Sequence, residues 1–284
     1  MKSALSAFKR TTNCFGLTAP RLFFTDNPSA DHKFYLEQLP SLARQQKEFD
    51  NLSAVSEPTS ALPDYDFRKL KIKVVQHATE TNDAVNAMME LMVGSRIGLD
   101  AEWEIIRGTA GRQVGRSKVN TIQIAYRDTN NDVTVIVVRT ERMTSLPHRL
   151  KSLLVGSSIK IAGNKVSADL IKIGADFDVA EIKSVDQKSR ANVFNLGMVA
   201  KHRGLVTNAA HVSLMYLAKV LLHIRLNKDL QTSGFSGNSL TLDQLRYIAI
   251  DGAVSLEAFE KMEEMPDVIK HLEKGDLTLD KKVR

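Results

Sequence analysis

Residues 97–104 read IGLDAEWE, and this stretch decides the fold class. Its odd-numbered residues are all apolar and its even-numbered residues are glycine or acids, which is the period-two pattern of a β-strand. Asp100 and Glu102 therefore leave the same face, about 6.6 Å apart along the backbone. Two carboxylates so placed can bind a divalent cation, but a strand with a solvent-exposed acidic face gives the same pattern. Taken alone, the stretch favours the solvent-exposed strand.

The segments on either side of this strand predict an α/β fold. Three strands in meander order, then alternation of strand and helix, and finally a helical end indicate a mixed sheet flanked by helices. The predicted strands are 71–76, 97–104, 121–127, 133–139 and 159–162. Helical spacing of apolar residues predicts helices around 84–92, 145–155, 166–175, 196–203, 212–222 and 242–262.

Composition excludes several classes of protein. With 284 residues and 43% hydrophobic residues, the chain can bury a substantial core. Its single cysteine, Cys14, allows no internal disulfide and no multi-cysteine zinc site, which favours an intracellular protein and leaves oxygen or imidazole ligands for any metal. Its apolar runs are broken by charge well short of the ~20 residues that span a bilayer, so we expect no membrane partner.

The charge and proline distribution divides the chain into three parts. Residues 1–68 contain five of the seven prolines and balanced charge, and we expect a mobile N-terminal tail there. The domain is expected over 69–265, which carries the basic excess, and a charged C-terminal extension over 266–284. The first 25 residues are basic, which suits a mitochondrial transit peptide or, more simply, a disordered start. The nucleus is the favoured compartment, with mitochondrion and cytoplasm open.

A second acidic position lies near the end of the chain. Thr241 and Gln244 form a T-x-x-Q capping box that opens a helix carrying Tyr247 and Asp251. Residues four apart share a helix face, so the phenol and the carboxylate point the same way. The residues around Asp251 are apolar or small and offer no partner, and a carboxylate in such surroundings favours a cation.

Three motifs in order resemble a known family. The chain is similar to the DEDDy-type 3′–5′ exonucleases of the ribonuclease H-like superfamily, in particular to Werner-type exonucleases and ribonuclease D, over about residues 70–262. Tyr247 places it in the tyrosine branch, because Arg246 stands where the other branch has histidine. The matching stretches are LDAEWE (99–104), KIAGNKVSADLIKIGADFDV (160–179, with Asp169 at the acidic position), SLMYLAKVLLHIRLNKD (213–229) and LTLDQLRYIAIDGAVSLEAF (240–259).

The resemblance implies a fold, a reaction and a site. It implies a ribonuclease H-like mixed sheet and hydrolysis of nucleic-acid phosphodiesters from the 3′ end, releasing nucleoside 5′-monophosphates with two Mg²⁺ or Mn²⁺ ions. Asp100 would bridge both ions, Glu102 and Asp251 would complete the first, and Asp169 would hold the second through water. Tyr247 would orient the attacking water.

The expected partner is nucleic acid with a single-stranded or recessed 3′ end, with DNA slightly favoured over RNA. A helicase or DNA-repair partner is compatible with the resemblance. The connection after the acidic strand carries four basic residues and no acid, and it suits either phosphate binding or a solvated hairpin loop. These basic residues are Arg107, Arg112, Arg116 and Lys118.

The sequence also departs from the family at neighbours of the site. Lys165 replaces a usual glycine, Asn195 a frequent acid, and Phe235 a common tryptophan, which leaves substrate preference open. Two other interpretations stay open: a catalytically silent exonuclease fold that binds nucleic acid or protein, and an endonuclease.

Overall fold

The structure, a computed structural model, describes residues 62–267 except 108, 110, 111, 157, 184–189, 207 and 228–238. The strands of this part of the chain are β1 Lys71–Val75, β2 Arg96–Glu102, β3 Ile105–Arg107, β4 Gln113–Arg116, β5 Thr121–Arg127, β6 Val133–Arg139, β7 Lys160–Gly163 and β8 Val193–Asn195. Its α-helices are α1 Ala78–Leu91, α2 His148–Gly156, α3 Val166–Asp176, α4 Ala180–Lys183, α5 Leu196–His202, α6 Leu214–Leu217 and α7 Leu242–Glu263.

Six strands form one mixed sheet in the order β1-β6-β5-β2-β7-β8. β2, β5 and β6 are the expected antiparallel meander, and β1, β7 and β8 join it in parallel. β2 therefore lies inside the sheet, with β5 on one side and β7 on the other. The predicted fold class, a mixed sheet flanked by helices, is confirmed.

Each face of the sheet packs against helices. On one face, Ile97 and Leu99 of β2 join a core built with α1, α2 and α3. The opposite face packs against α7, whose Tyr247, Ile248 and neighbours meet the valines of β6. Because β2 alternates, its apolar residues enter the first core and its glycine and acids turn towards α7.

The close approach of α7 to β2 depends on Gly98. A Cβ at this position would collide with the carbonyl oxygen of Gly252 and would lie 2.6 Å from the amide nitrogen of Leu256, both on α7. The acidic face of β2 is consequently covered by a helix. The simpler prediction, that this face is exposed to solvent, is wrong because α7 packs on it.

Several element boundaries differ from the sequence-based expectation. The predicted strand 97–104 ends at Glu102, and the following connection forms a separate two-stranded hairpin, β3–β4. The predicted helix 212–222 is instead α6 followed by a π-helical turn, Ala218–Leu222, which ends at His223 in the left-handed conformation. Within the described residues, no helix combines the length and apolar character needed to cross a bilayer.

Described residues just before residue 69 already contact the domain. The Tyr65 side chain packs against the cores beneath α7, and Asp64 forms an ion pair with Arg225. At the other end, Asp267 still forms an ion pair with Arg203. Residues 1–61 and 268–284, where most of the tail and of the C-terminal extension were expected, lie outside the described residues.

Candidate active site

Three acids from two distant parts of the sequence meet between β2 and α7. One carboxylate oxygen from each of Asp100, Glu102 and Asp251 lies within 4.8 Å of the other two. All three side chains are partly buried. The strand pattern brings two of them to one face, and the close packing of α7 at Gly98 brings the third.

The start of α7 is positioned by the predicted capping box. The Gln244 amide nitrogen donates to the Thr241 hydroxyl at 3.2 Å, and the Thr241 amide nitrogen donates to the Gln244 side chain at 2.9 Å. This satisfies two backbone donors that a helix start otherwise leaves unpaired. Tyr247 and Asp251 then follow on the face that meets the sheet.

Asp169, the fourth acid, stands in the first turn of α3 and outside the group of three. Its side chain is buried, and its Oδ2 atom has no hydrogen-bond partner among the described residues. The charge of Asp169 nonetheless contributes to the raised pKa values of both Asp100 and Glu102. The fourth acid thus lies within electrostatic range of the cluster, with one buried oxygen available to a ligand.

Two contacts hold the start of α3 in this place. Gly163, at the end of β7, is so close to the carbonyl oxygen of Leu99 that a Cβ would collide with it. The Asn195 side chain accepts a hydrogen bond from the Ser167 amide nitrogen at 3.2 Å and donates to the Ser167 hydroxyl at 2.7 Å. Asn195, a departure from the family pattern, is therefore a structural support of the helix that carries Asp169.

The acids strongly disfavour simultaneous ionisation. Burial, followed by the charges of Glu102, Asp251 and Asp169, raises the pKa of Asp100 well above its usual range. Burial and the neighbouring carboxylates likewise raise the pKa of Glu102 to about 8. Burial raises the pKa of Asp169 to about 8, against the opposing effect of the Lys165 cation. A site with so much uncompensated negative charge favours a cation.

Tyr247 belongs to the same site. Its side chain is buried, and its hydroxyl donates a hydrogen bond to the Asp251 carboxylate. Burial and the charges of Asp251, Glu102 and Asp100 raise the pKa of Tyr247 far above its ordinary value. The phenol therefore keeps its proton at neutral pH and acts as a hydrogen-bond donor.

The residues fit a hard divalent cation. Carboxylate oxygens are the ligands preferred by Mg²⁺ and Mn²⁺, and the unpartnered Oδ2 of Asp169 adds a buried oxygen to the group of three. No cysteine or histidine belongs to this group, which disfavours a zinc site of the usual kind.

Three of the four predicted nucleic-acid-binding residues lie on the β3–β4 hairpin, and Lys118 follows it. Arg107, Arg112 and Arg116 are exposed on the β3–β4 hairpin. Lys118 instead donates to the Met143 carbonyl oxygen at 2.9 Å, and its ammonium group lies 3.9 Å from the centre of the Phe177 ring. The hairpin arginines are thus presented to solvent, whereas Lys118 packs on the body of the domain.

Sequence reasoning missed two polar residues that lie under α7. Gln123 is opposite Asp100 in the sheet, and Thr121 is opposite Glu102, both fully buried. The Gln123 side chain donates to the Thr121 hydroxyl at 2.7 Å, while its carbonyl oxygen has no partner in the described part of the chain. The available signal was that the strand 121–127 alternates, so that polar residues share one face of a central strand.

The family is established by the sequence of the whole domain. A family model described as a 3′–5′ exonuclease matches residues 73–267, more than half of the chain. The chain therefore belongs to the 3′–5′ exonuclease family, and the expectation of an exonuclease is confirmed.

Individual relatives agree with this assignment. The chain is 28% identical over 186 residues to the bifunctional 3′–5′ exonuclease/ATP-dependent helicase WRN of Mus musculus, across 63% of this chain and 12% of that protein. The catalytic core of RRP6 from Trypanosoma brucei has a TM-score of 0.54 at 14% identity, covering 76% of this chain and 54% of its own. The Aedes aegypti Nibbler EXO domain has a TM-score of 0.54 at 18% identity, covering 75% and 98% respectively. These likenesses confirm the ribonuclease H-like fold.

Proposed function

We propose that this chain is a metal-dependent 3′–5′ exonuclease that removes nucleotides one at a time from the 3′ end and releases nucleoside 5′-monophosphates. The observation that carries the proposal is the meeting of Asp100, Glu102 and Asp251 within 4.8 Å beside the buried Asp169. Cleavage of a phosphodiester needs an activated water and stabilisation of the charge on the leaving oxygen. The cluster suits both needs once it holds cations.

The four acids would share the work of holding two divalent cations. Asp100 would serve both ions, Glu102 and Asp251 would complete the first, and Asp169 would hold the second through water. When bound, two such ions supply a deprotonated water at neutral pH and positive charge for the leaving group. Lys165 partly offsets the charge of Asp169 and helps to keep that side chain ionised.

Tyr247 would position the attacking water. Its raised pKa makes the phenol a poor general base at neutral pH, because it does not give up its own proton. Its hydrogen bond to Asp251 fixes the ring beside the cluster, where the hydroxyl can align a water with the phosphorus atom.

The test incubates the protein and Mg²⁺ or Mn²⁺ with a single nucleic-acid strand that carries a label at its 3′ end. We expect loss of the label as a nucleoside 5′-monophosphate, abolished in Asp100→Ala. For Tyr247→Phe we expect a rate about a hundredfold lower, since misplacing a positioned reactant costs on the order of 10²-fold, with unchanged Mn²⁺ binding by calorimetry. An equal loss of rate and of Mn²⁺ binding in Tyr247→Phe would contradict the water-positioning role.

A wild-type chain that binds the strand but releases no label would contradict the exonuclease and favour a silent binding module. Internal fragments without a terminal product would favour an endonuclease. Running the same assay on matched DNA and RNA strands, single-stranded and with recessed 3′ ends, tests the slight preference for DNA.

A further inference from the structure

Lys165 has a backbone conformation that its residue type rarely adopts. It lies at the N-cap of α3 with φ 62° and ψ 26°, in the left-handed region. The other non-glycine residues with positive φ in the described part of the chain are Asn131, Asp178 and His223, whose types are enriched in that region. Lysine has no such preference, and a glycine would adopt the same backbone without strain. The presence of a lysine therefore needs a separate reason.

The ammonium group of Lys165 has no structural role in the described part of the chain. The side chain is exposed, it does not cap α3, and it forms no ion pair with a described acid. The start of the helix uses only the Lys165 carbonyl oxygen, which accepts from the Ala168 amide nitrogen at 2.8 Å. Any residue type supplies that carbonyl group, so the fold does not account for the positive charge.

The position of Lys165 follows from the contact of β7 with the acidic strand. β7 runs parallel to β2 and is its neighbour in the sheet. Gly163, the last residue of β7, lies against the carbonyl oxygen of Leu99, the residue before Asp100. Lys165 is two residues further on, at most about 7 Å of chain. The chain thus enters α3 at the rim of the acidic cluster.

Lys165 also lies close to the fourth acid. Its carbonyl oxygen accepts from the Asp169 amide nitrogen at 3.4 Å, so the two residues belong to one turn. The Lys165 cation opposes the effect of burial on the pKa of Asp169, which places the charge within electrostatic range of that carboxyl group. An ammonium group at the rim of four acids, with no ion pair to any of them, is available to an anion that approaches the cluster.

We propose that Lys165 binds the substrate phosphate next to the scissile one, on its 5′ side. This inference rests on the proposed exonuclease function. When the 3′-terminal nucleotide is removed, the scissile phosphate lies at the acids, and all further phosphates of that strand lie on its 5′ side. A lysine ammonium group is a compact charge that suits a single phosphate. The contact gives a reason for a lysine where a glycine would be free of strain.

The first test removes the charge of Lys165 and keeps its backbone. Lys165→Asn introduces a neutral residue type that tolerates the left-handed region. We expect its affinity for a short DNA strand in EDTA to fall about fivefold, roughly 1 kcal/mol. The slope of log K against log salt should decrease by about 0.7, the loss of one phosphate contact on a single strand. With Mg²⁺, KM should rise by a similar factor and kcat should stay within about twofold.

The matched control is Lys73→Asn. Lys73 is also exposed, and it lies on β1, four strands and about 19 Å across the sheet from β7. This control should change neither the affinity nor KM. The melting temperature of Lys165→Asn should not fall, because neither the helix cap nor an ion pair uses the ammonium group. A lower melting temperature, or equal losses of affinity in the two variants, would overturn the proposal.

The second test identifies the phosphate that Lys165 contacts. An uncharged methylphosphonate replaces the second linkage from the 3′ end of the strand, and affinity in EDTA and KM with Mg²⁺ are compared with those of the unmodified strand. The replacement should weaken wild-type binding about fivefold and should have little further effect on Lys165→Asn. A methylphosphonate far from the 3′ end should affect both chains equally. Equal effects at the second linkage would mean that Lys165 acts only as a counterion of Asp169.

The contact of Lys165 and the exonuclease activity can fail separately. A wild-type chain that releases no nucleotide but shows the difference between linkages in EDTA would refute the exonuclease alone. A chain that releases nucleotides but responds to the second linkage exactly as Lys165→Asn does would refute the Lys165 contact alone.

Discussion

Strand β2 has acidic side chains in a partly buried environment, whereas the hairpin that follows it has apolar side chains exposed to solvent. In β2, Asp100 and Glu102 are partly buried beneath α7, whereas Ile105 and Ile106 a few residues later stand about half exposed. Ordinary folding would expose the acids and bury the isoleucines. Both departures reduce stability, and they adjoin one another at the end of β2. Departures of this kind are common where a protein binds or reacts with a ligand.

The largest expected effect is a loss of activity without a loss of stability when one of the acids is replaced. Asn has nearly the shape of Asp but no charge, so Asp100→Asn should lower exonuclease activity roughly a thousandfold. The same change should raise the melting temperature in EDTA at pH 8 by a few degrees, because burial and the neighbouring carboxylates oppose ionisation of Asp100 in the folded chain. Thermal unfolding measures the melting temperature, and the nuclease assay measures the activity. A less stable variant would mean that Asp100 supports the fold.

The covering of the acidic face by α7 depends on Gly98. Gly98→Ala should cost about 1–3 kcal/mol, because the new methyl group collides with α7 backbone atoms and the helix must shift. Denaturant unfolding measures the loss, and activity should fall with it as Asp251 moves. Gly156→Ala is the control, since no atom lies within 4 Å of a Cβ there. Similar losses in both variants would contradict the close packing.

The buried acids also predict a pH dependence of stability without metal. Glu102 and Asp169 have pKa values of about 8 in the folded chain, above the ordinary values of about 4 in the unfolded chain. Between these values the folded chain holds protons that the unfolded chain releases, so rising pH favours unfolding. In EDTA the melting temperature should fall from pH 5 to pH 8, and Mg²⁺ should reduce the fall. A melting temperature that rises over this interval would contradict the raised pKa values.

The smallest expected effect is the difference in unfolding free energy between the same substitution at two isoleucines. Ile97→Val should cost about 0.5–1.5 kcal/mol, because it removes a methylene from the closed core. Ile106→Val should cost less than about 0.5 kcal/mol, as expected of a solvent-exposed position. Chemical denaturation of the two variants provides the measurement, and equal costs would show that the hairpin packs on the domain.

Much of the site could be predicted because each part has a local signature. Alternation placed Asp100 and Glu102 on one strand face, and helical spacing with a capping box placed Tyr247 and Asp251 together. Asp169 came from the resemblance of its motif. The hairpin could not be predicted, because residues 105–116 lack clear alternation and read as a loop. The buried pair Thr121 and Gln123 was missed because only the sheet order puts them opposite the acids.

The family, most of the main strands and helices, and the residue types of the site follow from the sequence alone, since short-range periodicity and motif spacing are properties of the chain itself. Long-range contacts in the folded chain are needed to show that α7 covers the acids, that Lys118 contacts the domain, and that the hairpin isoleucines are about half exposed. Those outcomes depend on contacts between segments far apart in the chain, such as the close approach of α7 to β2 at Gly98.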